Sequence, residues 1–189
     1  LNSFLKLKSP KLNFREFKKT GIPSENFLIR LEFKTEEKDA PLLSINNSAG
    51  DCDYDTHLFL KNGKVAFQVG EPPLFLCAGE NSLADNKWHR LEIFCFADQE
   101  TRMMVDGKLA QGSMPQKSEL MSAVGINIGF TSLMKHATLT GSIRDLVIEE
   151  YSAQGMEFPE VYQKYLEMRE EIKAIKRAEE EDIALDKQI

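Results

Sequence analysis

Thr56-His57-Leu58-Phe59-Leu60-Lys61-Asn62-Gly63-Lys64-Val65-Ala66-Phe67-Gln68-Val69 is the stretch that decides the fold. Two short runs rich in β-branched and aromatic residues flank Asn62-Gly63, and an Asn-Gly pair supplies the two positive φ values that a two-residue hairpin turn demands. The expectation is a β-hairpin, and with it an antiparallel sheet. Working outward, the same texture recurs. Phe27-Leu28-Ile29-Arg30-Leu31-Glu32-Phe33 sets Phe27, Ile29, Leu31 and Phe33 against Arg30 and Glu32, as in a strand with one wet face. Leu42-Leu43-Ser44-Ile45 follows a charged turn containing Asp39 and Pro41.

Trp88-His89-Arg90-Leu91-Glu92-Ile93-Phe94-Cys95-Phe96 alternates with bulk on both sides, which predicts a central strand. Thr101 to Val105 leads into Asp106-Gly107, a second hairpin turn, and Lys108-Leu109-Ala110 returns; Ile126-Asn127-Ile128 and Leu139 to Ile148 supply the last strands. Many short strands with glycine-bearing turns predict an all-β antiparallel sandwich of jelly-roll type. After Gly155 the texture changes to a stretch rich in Glu, Lys, Ala, Met and Ile that starts at Phe158-Pro159-Glu160, predicting a C-terminal α-helix that frays beyond Ala178. Residues 1–152 are expected to form the sandwich domain and 153–189 the charged helix. Val161, Tyr165, Met168, Ile172 and Ile175 recur at spacings of four and three, placing them on one stripe fit to dock on the sandwich or to pair with another helix as a short coiled coil.

Bulk composition narrows the function classes. The 189 residues carry a formal net charge of -6, which argues against nucleic-acid binding, where phosphates call for a clustered cationic excess. No apolar run approaches the roughly 20 residues of a membrane-spanning helix, so no membrane insertion is expected in this segment. A basic strip from Lys6 through Lys19 is a solvated edge or a contact for an acidic glycan. Cys52, Cys77 and Cys95 show no metal-ligand spacing; Cys95 reads as a small buried hydrophobe, whereas pairing of Cys52 with Cys77 depends on a separation that sequence does not fix. Asn46-Asn47-Ser48 is a glycosylation sequon expected in a polar loop, with Asn46 as acceptor in a secreted protein.

The ordered set of motifs resembles the laminin G-like domain of laminins, neurexins and agrin. The resemblance runs from about Leu12 to Glu150. It rests on Leu83-Ala84-Asp85-Asn86-Lys87-Trp88-His89, Met104-Val105-Asp106-Gly107, Ile126-Asn127-Ile128-Gly129 and Leu139-Thr140-Gly141-Ser142-Ile143-Arg144-Asp145-Leu146, in that order after the strands already quoted. It implies a concanavalin-like sandwich and an extracellular or cell-surface setting. It also implies a Ca²⁺ site at one rim, for which Asp51, Asp53 and Asp55 are the candidate ligands, since Ca²⁺ takes six to eight hard oxygens. The second ligand position, just before Ile126, falls on Leu120-Met121-Ser122-Ala123, which supplies neither acid nor amide, so a solvated acidic loop is the alternative. Ser142 stands where many relatives carry a cysteine, so their late disulfide does not form here; an intracellular scaffold therefore stays among the readings.

Individual residues have folding roles as their first reading. Trp88 is expected to anchor the core between the sheets, Asp106-Gly107 to turn a hairpin, and Gly141 to permit close approach of a neighbouring strand. His89 has no nucleophile or paired carboxylate at a spacing that suggests catalysis, and no strand carries the two carboxylates of a glycosidase, so hydrolysis is the weakest alternative. The leading expectation is a non-catalytic recognition module for a protein ectodomain or an acidic glycan, contacted at a rim formed by 46–55 and 112–122. Asn46, Asn47, Tyr54, Phe75, Met114 and Lys117 are the candidate contacts. The alternative is an assembly element that oligomerises through the helix.

Overall fold

A computed structural model of the chain describes residues 26–47, 56–69, 74–78, 81–96, 99–110, 123–131, 133–134, 138–151 and 155–186. Ten strands run β1 (Phe27–Thr35), β2 (Ala40–Asn47), β3 (Thr56–Lys61), β4 (Lys64–Val69), β5 (Leu74–Ala78), β6 (His89–Cys95), β7 (Arg102–Val105), β8 (Lys108–Leu109), β9 (Ala123–Ile128) and β10 (Gly141–Glu150). They form two five-stranded sheets ordered β10-β1-β6-β7-β8 and β5-β4-β3-β2-β9, antiparallel throughout. The expected antiparallel sandwich is the observed fold.

Period-two burial builds the interior. Phe27, Ile29, Leu31 and Phe33 of β1 and Leu91, Ile93 and Cys95 of β6 join Leu58, Leu60, Val65 and Phe67 of the second sheet in one core cluster. Each such Leu or Phe, fully withdrawn from water, contributes roughly 1.5–3 kcal/mol relative to exposure. Cys95 is at 0% exposure, consistent with its reading as a small hydrophobe. Across the first sheet Leu28, Phe94, Met104 and Val147 are buried as well, so β1 and β6 carry bulk on both faces, as suits central strands.

Both hairpin turns take the expected geometry, with Asn62 and Gly63 at φ 52° and 77° and Asp106 and Gly107 at 50° and 79°. A bulge interrupts β10: Arg30 pairs Val147 and Glu32 pairs Arg144, so two residues, Asp145 and Leu146, oppose Leu31 alone. Asp145 takes up the extra length at φ 51°, a left-handed conformation that Asp tolerates better than most side chains. That extra residue is why the core-facing positions of β10 are Ile143, Leu146 and Ile148 rather than a strict alternation.

Two expectations about the strands are corrected. Asn46 and Asn47 belong to β2, opposite Gly125 and Ala123, and not to a polar loop. Phe75, offered as a contact in a binding loop, belongs to β5 at the edge of the second sheet, opposite Gln68. Leu74 to Ala78 is a short edge strand without alternation, and such a run is told from a loop only by the neighbour it pairs with.

The chain divides into two compact units, residues 1–152 and 153–189. The second contains α1 (Phe158–Asp186), a 29-residue helix, so the fraying expected beyond Ala178 is also corrected. Glu157 accepts from the backbone N–H groups of Glu160 and Val161 at its start. Ion pairs Glu160–Lys164 and Glu170–Lys173 support the exposed faces, and Lys173 holds the Glu170 carboxyl below its ordinary pKa. Among the described residues no helix is long and apolar enough to cross a membrane.

Candidate functional site

One end of the sandwich is fastened by a set of side chains that the sequence places far apart. β1 ends there at Thr35, β10 begins there at Gly141, β6 begins at His89, and the β7–β8 turn closes at Asp106. Thr35 donates its hydroxyl to the Thr140 carbonyl at 2.7 Å, and its own carbonyl accepts from Asn86 N–H at 2.9 Å. Gly141 is required by proximity. A Cβ there would lie 2.2 Å from the Lys34 carbonyl oxygen, which bears out the expected close approach.

The loop from Leu83 to Trp88 folds by local chemistry. Leu83 is buried in the core cluster, the Asp85 carboxylate accepts from Lys87 N–H at 2.9 Å as an Asx turn, and Asn86 takes φ 61°. The chain then enters β6 with His89 between two acids. Its Nε2 lies 2.9 Å from Asp85 Oδ1 and its Nδ1 lies 2.7 Å from Asp106 Oδ2, while Asp106 Oδ1 accepts from Arg90 N–H at 2.8 Å. One imidazole thus joins the loop before β6 to the turn after β7. The ring packs beside Phe33, with centroids 5.7 Å apart.

Burial opposes charge on the His89 ring, but the hydrogen bonds to Asp106 and Asp85, reinforced by their negative charge, outweigh it and raise its pKa above the ordinary histidine value. The Asp85 carboxyl is held below its ordinary value, chiefly by its bond to His89. A carboxylate lies at each nitrogen, so the protonated ring, with both nitrogens as donors, is the form these two acids favour. Nothing in the sequence pointed to these two partners beyond an Asp four residues ahead and an Asp in a hairpin turn 17 residues on.

Trp88 is the fourth correction. It is half-buried, not sealed in the core, and lies on the opposite face of the first sheet from Phe33 and Leu91. The Arg144 guanidinium carbon stacks 3.9 Å from its ring centroid and Lys34 Nζ lies 5.4 Å away. Arg144 is itself held by an ion pair to Glu32, across the strand pair Glu32–Arg144. Deeper on that face Glu92 is buried, with Arg90 Nε at 3.3 Å. The Trp-His and Ile-Arg-Asp motifs are thus in contact, the arginine of one lying on the indole of the other.

The remaining candidates divide by location. Asp51, Asp53, Tyr54, Asp55, Met114, Lys117 and the basic strip 6–19 lie outside the described residues, as does Cys52. Among the described residues no group of three His, Cys, Asp or Glu is arranged to hold a metal ion. The segments 48–55 and 111–122 do leave the same end of the second sheet, because Asn47 pairs with Ala123 and Ile45 pairs with both Thr56 and Ile126. That end is opposite the one fastened by His89. In α1, Met168, Ile172 and Ile175 are exposed along one line, and Tyr165 bonds Arg169 within its own helix at 3.2 Å.

The family model described as Laminin G domain matches residues 33–150. Among solved structures, the LG4-5 domains of the mouse laminin alpha1 chain match with 26% identity and a TM-score of 0.51 over 66% of this chain and 35% of that one. The CBM40 of the Ruminococcus gnavus IT-sialidase matches with 16% identity and a TM-score of 0.53, covering 75% of this chain and 84% of that one. A SAP-like pentraxin from Limulus polyphemus matches with 15% identity and a TM-score of 0.51, covering 68% and 66%. The chain spans about a third of the laminin chains it matches, 35% and 29% of their lengths. No curated protein matches it.

Proposed function

The chain belongs to the laminin G domain family, and from that membership we propose that it is a non-catalytic recognition module, extracellular or at the cell surface, that grips a protein ectodomain or an acidic glycan. The observation that carries this reading is the common origin of segments 48–55 and 111–122 at one end of adjacent strands β3, β2 and β9. Connecting segments rooted side by side on a rigid sheet are a usual arrangement for binding. The opposite end is spent on structure. There His89 has both nitrogens engaged by carboxylates and, among the described residues, faces no nucleophile, which supports a role other than hydrolysis.

Asn46, Asn47, Tyr54, Met114 and Lys117 belong to or border the proposed surface, whereas Phe75 sits in the edge strand β5. The sialidase CBM40 and the pentraxin share the fold, and a sialidase module favours the acidic glycan as the first ligand class to try. The test is binding of the chain to arrayed sulfated and carboxylated glycans and to surface ectodomains. It is repeated after residues 112–122 are replaced by a short Gly-Ser linker. Loss of binding with an unchanged melting temperature is expected. Undiminished binding, or turnover of a bound glycan, would overturn the proposal.

A further inference from the structure

Building on the recognition role proposed above, we infer that an acidic glycan is held at the end of the sandwich where β1 begins, by the cations between Lys6 and Lys19 acting over the rim of 48–55 and 111–122. The rim segments do not supply that charge themselves. Residues 48–55 contain Asp51, Asp53 and Asp55 and no cation, and 111–122 balance Lys117 against Glu119. An anionic chain laid across them alone would meet the wrong sign.

The strand topology brings a basic segment to that same end. β1 runs from Phe27 to Thr35, and β2, in the other sheet, runs back from Ala40 to Asn47 after a short turn. Thr35 and Ala40 therefore share one end of the sandwich, and Phe27 and Asn47 share the other. There Phe27 lies opposite Cys95 and Glu150, while Asn47 lies opposite Ala123. One residue earlier, the Asn26 carbonyl accepts from Tyr151 N–H at 3.1 Å, which fixes the point where residues 1–25 join the sandwich. Packed sheets lie about 10 Å apart, so that point is beside the rim. β10 ends at the same place in Glu149 and Glu150, which adds to its negative charge.

What joins there is a cation-rich stretch of an acidic chain. Lys6, Lys8, Lys11, Arg15, Lys18 and Lys19 have one acid among them, Glu16, in a chain whose net charge is -6. Lys19 precedes Asn26 by seven residues. Such a span reaches up to about 23 Å when extended, which exceeds the gap between the sheets. The stretch also precedes residues 33–150, so this charge lies outside the matched laminin G domain. Tethered cations beside a rim act at a high effective concentration on any chain the rim holds. A sulfated or carboxylated polysaccharide presents the closely spaced anions to match them.

The test is binding of the full chain to immobilised heparin at rising NaCl, with neutral dextran as the control. Wild type is expected to bind heparin and to release it as salt screens the charges. The variant carrying Lys6→Gln, Lys8→Gln, Lys11→Gln, Arg15→Gln, Lys18→Gln and Lys19→Gln is expected to bind about tenfold or more weakly, with an unchanged melting temperature. Asp51→Asn/Asp53→Asn/Asp55→Asn is expected to bind more tightly, because the glycan passes over the rim. Undiminished binding by the first variant, or binding by the second equal to wild type, would overturn the inference. Capture of surface ectodomains without heparin would also overturn it and leave the recognition role standing, whereas capture of neither would end both.

Discussion

His89 Nδ1 and a carboxylate oxygen of Asp106 lie 2.7 Å apart, and this contact fastens the β7–β8 turn to the first residue of β6. The bond is charge-assisted, as is its counterpart to Asp85 on the other side of the ring. Replacing His89 by Ala removes both. For partly exposed bonds to carboxylates the expected loss is about 1–2 kcal/mol in urea unfolding. A change within a few tenths of a kcal/mol would show that the two acids do not hold the ring.

The same ring sets a pH dependence of stability. The folded-state pKa of His89 is raised, so its contribution is complete below the unfolded value and disappears as pH rises through the folded one. The pKa of Asp85 is lowered, so its contribution is present above the unfolded carboxylate value and disappears as pH falls through the folded one. Stability is therefore expected to peak between these limits and to decline on the alkaline side of the His89 titration. His89→Gln should flatten the alkaline limb, which urea unfolding across pH measures; an unchanged limb would remove His89 as its source.

Gly141 has no room for a side chain. A Cβ 2.2 Å from the Lys34 carbonyl and 3.1 Å from Thr35 Cβ forces β10 away from β1. Gly141→Ala is expected to cost about 3 kcal/mol, at the upper end for overpacking. Thermal unfolding measures it, and a melting temperature equal to wild type would mean that the strand separates at little cost.

The indole of Trp88 is half-exposed and flanked by two cations, so its fluorescence is expected to peak between the values of a dry and a solvated tryptophan. Iodide should quench it more strongly than caesium, because Lys34 and Arg144 concentrate the anion. Arg144→Gln is expected to cost about 1 kcal/mol and to reduce iodide quenching. Equal quenching by the two ions would contradict this electrostatic setting.

Ca²⁺ is expected to leave the melting temperature and ligand binding unchanged. Asp51, Asp53 and Asp55 offer oxygens, but Leu120 to Ala123 contain no side-chain acid or amide to complete the set. A Ca²⁺-dependent rise in melting temperature would return those three carboxylates to the binding surface as ligands.

The strands were legible because alternation and the Asn62-Gly63 and Asp106-Gly107 pairs report local backbone geometry directly. Trp88 was misplaced because alternation separates two faces without saying which is interior, and in β6 both carry bulk. Arg144 on the indole, and the two acids on His89, join residues far apart in the chain, so only strand order brings them together. β5 was lost because Leu74 to Ala78 is apolar without a period and follows prolines. Asp145 was invisible as a bulge because a single inserted polar residue in an apolar run also reads as an ordinary outward-facing position.

That inserted residue sets the length of an arm. Without Asp145, Ile143, Arg144, Leu146, Val147 and Ile148 would alternate inward and outward with no defect, and the sequence would look tidier as a strand. With Tyr151 held by its hydroxyl to the Cys95 carbonyl at one end, a chain shorter by one residue would stop about 3.3 Å short at the other. Gly141 would then no longer lie under the Lys34 carbonyl, and the guanidinium would be drawn back from the indole. A break in the pattern is thus what lets the two ends of the sandwich be anchored at the same time, and natural deletions should be tolerated elsewhere in this domain sooner than here.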